Sequence, residues 1–245
     1  MDFFLNLWNT ALNLLNTLWN TAFFKVVREA TPLLMQGLGV TVQATLLSLA
    51  IACVLGLLMC LMGISKTPLK YLSKFYVWII RGTPFIVQLF IIHFGIPQLM
   101  SMLGVEGFRL SSFQSGVITL SLNAGAYLSE IFRGGIQAVN RGQMEAAQSL
   151  GLPRANAMMK IILPQAIRIS IPSIGNQFII TLKDSSLAQV IGMAEIVYQG
   201  KIYVGRTMQS FFTYVLIGIV YLIIISILTK ILNVIERKLD YGRKG

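Results

Sequence analysis

The sequence predicts an all-α membrane protein with five transmembrane helices. Of its 245 residues, 55% are hydrophobic and only 12% are charged, and the mean hydropathy is +0.72. Soluble domains carry about 25% charged residues, so soluble enzymes and nucleic-acid-binding proteins fit this composition poorly. The net charge of +11 is therefore interpreted as basic loops at an anionic membrane surface, with no nucleic-acid partner.

Five apolar runs supply the predicted spans, because a helix of about 20 residues crosses the hydrocarbon core. They are residues 37–65, 83–105, 111–129, 169–194 and 211–229. The fourth run contains Lys183 and Asp184, which we expect to form an ion pair inside the membrane. His93 lies in the second run, where a packed or hydrogen-bonded role is favoured over a proton relay.

The basic residues predict the orientation of the chain. Fourteen Lys and Arg residues lie on the side of the loops that follow the first, third and fifth runs, and six lie on the other side. Cytoplasmic loops hold the excess of Lys and Arg. The sequence therefore predicts an outer N-terminus and a cytoplasmic C-terminus.

Residues 1–30 are predicted to form a separate amphipathic segment ahead of a membrane domain at 31–240. Leu-Trp-Asn-Thr-Ala occurs twice, and Asn6, Asn9, Asn13, Asn16 and Asn20 share one helical face. Such a helix suits the membrane surface. A cleaved signal peptide is the alternative, but a basic start and a clear cleavage site are missing.

The polar stretch at 134–168 is predicted to be a cytoplasmic loop built from two short helices. The first would span residues 143–150 and end in a left-handed cap at Gly151. Pro153 would begin the second helix, which Pro164 would end after Ile162. Two short helices at an angle form a knob that suits a groove in a partner protein.

Within this loop the fixed positions Glu145-Ala146-Ala147, Gly151, Ile161 and Leu163-Pro164 resemble the EAA loop of ABC importer permeases. From about residue 32 to residue 237 the chain resembles the polar amino-acid branch of that family. The stretches that carry this resemblance are Arg81-Gly82-Thr83-Pro84, residues 123–127, residues 130–135 and residues 182–187.

The resemblance implies a type I importer fold in the bacterial cytoplasmic membrane. It also implies four kinds of partner, which are ABC ATPase subunits, a second permease subunit, an extracytoplasmic amino-acid-binding protein and membrane lipid. The coupling surface toward the ATPase would comprise Glu145, Ala146, Ala147, Gly151, Leu152 and Pro164. ATP and Mg would be bound by the partner ATPase, since this chain has no phosphate-binding G-x-x-x-x-G-K-[ST] loop. We expect the chain itself to be no enzyme and to hold no cofactor and no metal.

Polar side chains at one depth predict a substrate site, because polar groups in hydrocarbon tend to face a cavity or a partner helix. At about 1.5 Å per residue, five of them lie near the midplane: Ser48, Gln88, Asn123, Gln177 and Thr181. Tyr127 and Asn176, in stretches that resemble the family, are assigned to the same site. For each residue alone, an interhelical hydrogen bond is the alternative. Glu130, Lys183 and Asp184 are assigned to the pathway or its gate, with Glu130 pairing to Arg133 at i and i+3.

The substrate expectation depends on Gln177. In permeases for cationic amino acids the residue after the equivalent of Asn176 is often Glu, whereas here a neutral amide follows. The surrounding stretches resemble glutamine permeases, so glutamine or a similar uncharged amino acid is favoured over a cationic one. An ion-coupled secondary carrier and a non-transporting scaffold are the other readings. Five spans without an internal repeat argue against the carrier, and midplane amides argue against the scaffold.

Overall fold

The computed structural model describes residues 2–241 of the chain, with side chains described for residues 4–17 and 21–238. Every regular element in that range is helical. The eleven α-helices are α1 Asp2–Leu18, α2 Phe24–Ile64, α3 Leu69–Gly82, α4 Phe85–Phe90, α5 Ile96–Met102, α6 Ser112–Ala138, α7 Arg141–Ser149, α8 Arg154–Ala157, α9 Leu163–Asp184, α10 Ile196–Thr207 and α11 Ser210–Tyr241.

Among the described residues, three helical stretches are long and apolar enough to cross a membrane by themselves, and they are residues 4–64, 85–102 and 210–238. They overlap the first, second and fifth predicted spans. The third and fourth correspond to α6 and α9, which are more polar. In α6, 14 of 27 residues are buried.

The first span begins earlier than its charge-free run. A π-helical turn at Trp19–Phe23 joins α1 to α2, and α2 has 41 residues, or about 61 Å of helix. Near its start, Val26 and Ala30 are buried in one cluster with residues of α10 and α11. The predicted boundary at residue 30 thus lies inside a helix that packs with the membrane domain.

Close packing of α2 against α6 forms the centre of the fold. A methyl group on Gly56 would lie 2.8 Å from Cβ of Leu128, and one on Gly125 would lie 3.0 Å from Cδ2 of Leu55 in α2. The sequence places Gly125 in a stripe of small residues with Ser121 and Ser129, and such stripes let helices approach closely. That prediction is confirmed.

A proline separates α3 from the second span. Helix α3 ends before Thr83, and Pro84 has an extended ψ of 139° where α4 begins. Helix α3 lies along α2 and α6, because Ser73 donates to the Met59 carbonyl (2.7 Å) and Tyr76 donates to the Leu122 carbonyl (2.6 Å).

The fourth span is shorter than the prediction, which was wrong to extend it to residue 194. Helix α9 ends at Asp184, a 3-10 turn follows at Ser185–Ile191, and Gly192 adopts a left-handed φ of 81°. The chain then folds back on α6, where Ser112 donates to the Ile191 carbonyl at 2.7 Å.

The predicted ion pair of Lys183 with Asp184 is also wrong. The ion pairs among the described residues all involve Glu130. Adjacent residues on a helix do not face each other, so Lys183 is exposed while Asp184 is half-buried.

The predicted helix end at Pro164 is wrong as well. Helix α8 continues through a π-helical turn at Met158–Ile162 directly into α9, and Pro164 lies in the first turn of α9. A proline lacks an N–H and its ring crowds the carbonyl four residues before it. The wider π turn accommodates both effects. The side-chain amide of Gln165 donates to the Ile161 backbone carbonyl at 3.0 Å.

Candidate functional site: a coupling turn and a polar membrane path

The turn after α7 is closed by a Schellman motif, as the sequence predicts. Gly151 has a φ of 82°. Its N–H donates to the Gln148 carbonyl at 2.9 Å, and the Leu152 N–H donates to the Ala147 carbonyl at 3.1 Å. These two bonds satisfy carbonyls that would otherwise be free at the helix end. The left-handed cap predicted at Gly151 is therefore confirmed.

The residues assigned to the coupling surface divide into outward and inward groups. Glu145, Ala146, Gly151 and Pro164 are exposed, whereas Ala147 is buried and Leu152 is half-buried. Leu150, which the sequence argument missed, is 82% exposed at the tip of the turn. A large apolar side chain that a rigid helix cap holds in solvent suits a groove in a partner protein. The predicted cap at Gly151 was the signal that could have identified Leu150.

Gln88 stabilises the break between α3 and α4. Its side-chain amide donates toward the Ile80 carbonyl (2.7 Å) and the Thr83 carbonyl (3.0 Å), which lie where Pro84 interrupts the helix. Asn123 of α6 donates to the Gln88 side-chain oxygen at 3.2 Å. Both amides thus hold helices together in this conformation, and their part in substrate binding stays a prediction.

Ser48 lies away from that pair. Its hydroxyl is fully buried and donates to the Val117 carbonyl at 3.2 Å. Val117 is six residues from Asn123, or about 9 Å along α6. The predicted common depth therefore holds only loosely at Ser48.

Gln177 and Thr181 lie on the buried face of α9. The Thr181 hydroxyl donates to the backbone carbonyl of Gln177 at 2.9 Å, and the side-chain amide of Gln177 donates to that hydroxyl at 3.4 Å. Ser170 donates to the Ile131 carbonyl, which sets the antiparallel register of α9 against α6. Gln177 is seven residues from Ser170 along α9 and Asn123 is eight residues from Ile131 along α6, so the two side chains lie at a similar level of this helix pair. Their common depth in the membrane stays a prediction.

A second face of α9 carries exposed polar groups. Ser173, Asn176 and Lys183 are exposed, and their spacing of three and seven places them on one side of the helix. Tyr127 of α6 is 37% exposed. Polar groups are expensive in hydrocarbon, so contact of this face with a water-filled path or another subunit stays a prediction.

An ion cluster joins α3 to α6 at the end of the third span. Arg133 donates from Nε to Oε1 of Glu130 at 3.1 Å, which confirms the predicted i,i+3 pair. The Arg133 hydrogen bond lowers the pKa of the Glu130 carboxyl, so this group is ionised at neutral pH. Arg81 Nη1 lies 3.6 Å from Glu130 Oε2, and its guanidinium carbon lies 5.2 Å from the centre of the Tyr127 ring.

Sequence reasoning counted Arg81 with the cytoplasmic loops and so missed its place in this cluster. Thr83-Pro84 was the signal that could have identified it. These residues predict a helix end directly after Arg81, and that helix is α3, which contacts α2 and α6.

Glu195 is a second residue that was missed. It is fully buried and caps α10 by accepting the N–H groups of Val197 (2.9 Å) and Tyr198 (2.7 Å). The Tyr221 hydroxyl of α11 donates to it at 3.3 Å. The carboxylate therefore fixes α10 against α11.

His93 has the hydrogen-bonded role that was predicted, with its Nδ1 2.9 Å from the Ser115 hydroxyl. Within the described part of the chain, no three His, Cys, Asp or Glu side chains come together as a metal site requires.

Residues 52–241 match the family described as binding-protein-dependent transport system inner membrane component. The chain belongs to this family. It is accordingly a permease subunit rather than an enzyme, and ATP hydrolysis in these transporters belongs to a separate subunit.

Relatives from Bacillus subtilis (strain 168) specify the branch. The probable amino-acid permease protein YxeN is 38% identical and covers 90% of this chain and 97% of its own length. The arginine transport system permease protein ArtQ is 36% identical, covering 88% and 96%. The probable glutamine ABC transporter permease protein GlnM is 37% identical, covering 84% and 93%.

A solved structure gives the same result. The crystal structure of an amino acid ABC transporter with histidines contains a chain that is 39% identical, with a TM-score of 0.81 over 88% of this chain and 98% of that one. The protein has the type I ABC permease fold and is an amino-acid ABC importer permease. The fold class predicted from the sequence is confirmed.

Proposed function

We propose that this permease carries a polar amino acid inward by alternating access, driven by a separate ATPase. The ATPase would bind the coupling turn, which is the turn at Leu150 and Gly151 after α7. Nucleotide-driven closure of two ATPases would draw two such turns together and open the path outward. The N-terminus would lie outside and the C-terminus in the cytoplasm, next to the ATPase. A second permease subunit and an extracytoplasmic amino-acid-binding protein would complete the transporter.

The observation that carries the coupling proposal is the geometry of the turn. Two backbone hydrogen bonds and the left-handed Gly151 fix the turn, so that Glu145, Ala146 and Leu150 project from it. Binding such a rigid turn requires little ordering of the chain, so its entropic cost is lower than that of binding a flexible loop. A turn that keeps its shape when bound can move together with the ATPase.

Replacing Leu150 by Asp tests this coupling. The substitution puts a charge on an apolar contact, so we expect co-purification of the ATPase to fall at least tenfold. Leu150 is 82% exposed, so the fold should tolerate the change. Leu103→Asp is the matched control, since Leu103 is 69% exposed and follows α5 rather than α7. Equal ATPase recovery with both variants would contradict the proposal.

Glutamine or a similar uncharged amino acid is the favoured substrate. Gln177 offers an amide, which can donate and accept hydrogen bonds toward another amide, where a carboxylate would favour a cation. Relatives named for arginine and for glutamine are similarly close, so this preference rests on Gln177. A permease of the same type for cationic amino acids is the alternative.

The substrate proposal predicts that Gln177→Glu shifts selectivity toward arginine. The measurement is uptake of labelled glutamine with and without competing arginine. The ratio of the two uptakes does not depend on how much transporter is folded. We expect arginine to compete at least about tenfold better, an effect of about 1.4 kcal/mol. Gln98→Glu is the control, because Gln98 is exposed on α5. An unchanged ratio would remove Gln177 from the selectivity site.

A further inference from the structure

A cavity of about 480 Å³ lies between α2, α3 and α6, apart from the midplane amides. It is placed at the ends of these helices nearest the coupling turn, since Ile64 ends α2 and Gln137 lies next to the end of α6. With the coupling turn in the cytoplasm, as given under the proposed function, the cavity would lie near the level of the lipid head groups.

The polar part of the cavity wall is net positive. Lys74 and Arg133 line it together with Glu130. The Glu130 carboxylate is already shared between Arg133 and Arg81. Lys74 is in none of the ion pairs found among the described residues, so its charge is available to an anion.

The rest of the wall is apolar. Ile64 and Val77 face the cavity, and so does Trp78. Trp78 is 70% exposed, and its ring lies 6.0 Å from that of Phe75. An exposed tryptophan near a lysine is typical of the level where head groups meet acyl chains. A cavity with cations on one side and apolar groups on the other suits an amphiphile better than it suits a small inorganic anion.

The charges along this part of the chain agree with such a ligand. Lys66, Lys70 and Lys74 follow the end of α2, and Lys70 and Lys74 are one turn apart on α3. Juxtamembrane basic clusters attract anionic lipids of the cytoplasmic leaflet to the membrane surface. Of the three lysines only Lys74 lines the cavity, so retention of a lipid inside it should depend on Lys74 rather than on Lys66 or Lys70.

We propose that this cavity binds one anionic phospholipid of the cytoplasmic leaflet. The lipid phosphate would lie against Lys74 and Arg133, and the acyl chains would leave past Val77 and Trp78. The leaflet assignment rests on the orientation given under the proposed function. The site itself does not depend on which amino acid is carried.

Native mass spectrometry of the assembled transporter tests the site. The complex is purified in mild detergent with phosphatidylglycerol or phosphatidylcholine added, and retained lipid is counted. We expect selective retention of phosphatidylglycerol, reduced about fivefold by Lys74→Gln, which corresponds to the loss of about 1 kcal/mol. Lys70→Gln is the matched control, because Lys70 lies on the same helix but outside the cavity, and Lys74→Arg should retain the lipid.

Three results would overturn the proposal. The first is equal retention of the two lipids, and the second is an equal loss in Lys70→Gln and Lys74→Gln. The third is displacement of phosphatidylglycerol by millimolar inorganic phosphate, which would identify a free anion as the ligand. Melting temperatures are measured in phosphatidylcholine nanodiscs to separate lipid loss from misfolding. We expect Lys70→Gln and Lys74→Gln to melt at the same temperature. A failure of this test would leave ATPase co-purification intact, so it is distinguishable from failure of the proposed function.

Discussion

The side-chain amide of Asn123 donates to the side-chain oxygen of Gln88 at 3.2 Å and joins the central helix α6 to the start of the second span. Gln88 in turn donates to the Ile80 carbonyl, which Pro84 leaves without an N–H partner, and to the Thr83 carbonyl. The pair therefore connects the break between α3 and α4 to the central helix α6. A conformational change that bends the chain at Thr83 would have to alter this contact.

Replacing Gln88 by Leu should destabilise the permease more than replacing Asn123 by Ala. Gln88→Leu removes the donor from the carbonyls of Ile80 and Thr83 in the helix break, and an unsatisfied group kept from water costs about 1 to 3 kcal/mol. Asn123→Ala removes one interhelical bond worth about 0.6 kcal/mol. Thermal unfolding in detergent measures both. Gln98→Leu, at an exposed position on α5, should have no effect, and equal stability of Gln88→Leu and Gln98→Leu would refute the role given to Gln88.

Two glycines of α2 give a test of the α2–α6 contact. A methyl group on Gly56 would lie 2.8 Å from Leu128 Cβ and 3.0 Å from the Gly125 carbonyl, whereas one on Gly39 would meet nothing within 4 Å. Gly56→Ala should therefore lower the free energy of unfolding by about 1 to 3 kcal/mol. Gly39→Ala should leave it unchanged or raise it slightly. The packing described here would be incorrect if the two variants unfolded at the same temperature.

Gly151→Ala should loosen the coupling turn without a steric clash. Nothing lies within 4 Å of a methyl group at Gly151, and its φ is 82°, so the penalty is the left-handed backbone, about 1 to 2 kcal/mol. Hydrogen exchange at the amides of Leu150 and Leu152 should become about five- to thirtyfold faster. Gly134→Ala is the control, since that position is equally open and has no positive φ. Unchanged exchange in Gly151→Ala would mean that the Schellman cap does not hold the turn.

Sequence reasoning succeeded where one local rule determines the structure. The Gly151 cap needs only a residue without Cβ at a helix end, the Glu130–Arg133 pair needs only i,i+3 spacing, and the contact of Gly125 with α2 needs only small side chains. Each of these features follows from residues close together in the chain.

It failed where an irregular helical turn or a distant contact changes the local rule. Pro164 does not end its helix, because a π turn upstream absorbs the missing hydrogen bond. The fourth span stops at Asp184, since packing against α6 turns the chain back at Gly192. Arg81 reaches Glu130 only because α3 lies along α6. None of these three arrangements is visible from hydropathy or spacing alone.

The most direct test of the account is uptake of labelled glutamine by the permease reconstituted with its ATPase, its partner permease and its binding protein, in vesicles that enclose either ATP or ADP. We predict uptake only with enclosed ATP, at a rate unchanged when ionophores collapse all ion gradients. Uptake that proceeds with ADP and follows an imposed ion gradient would contradict the account and identify an ion-coupled carrier.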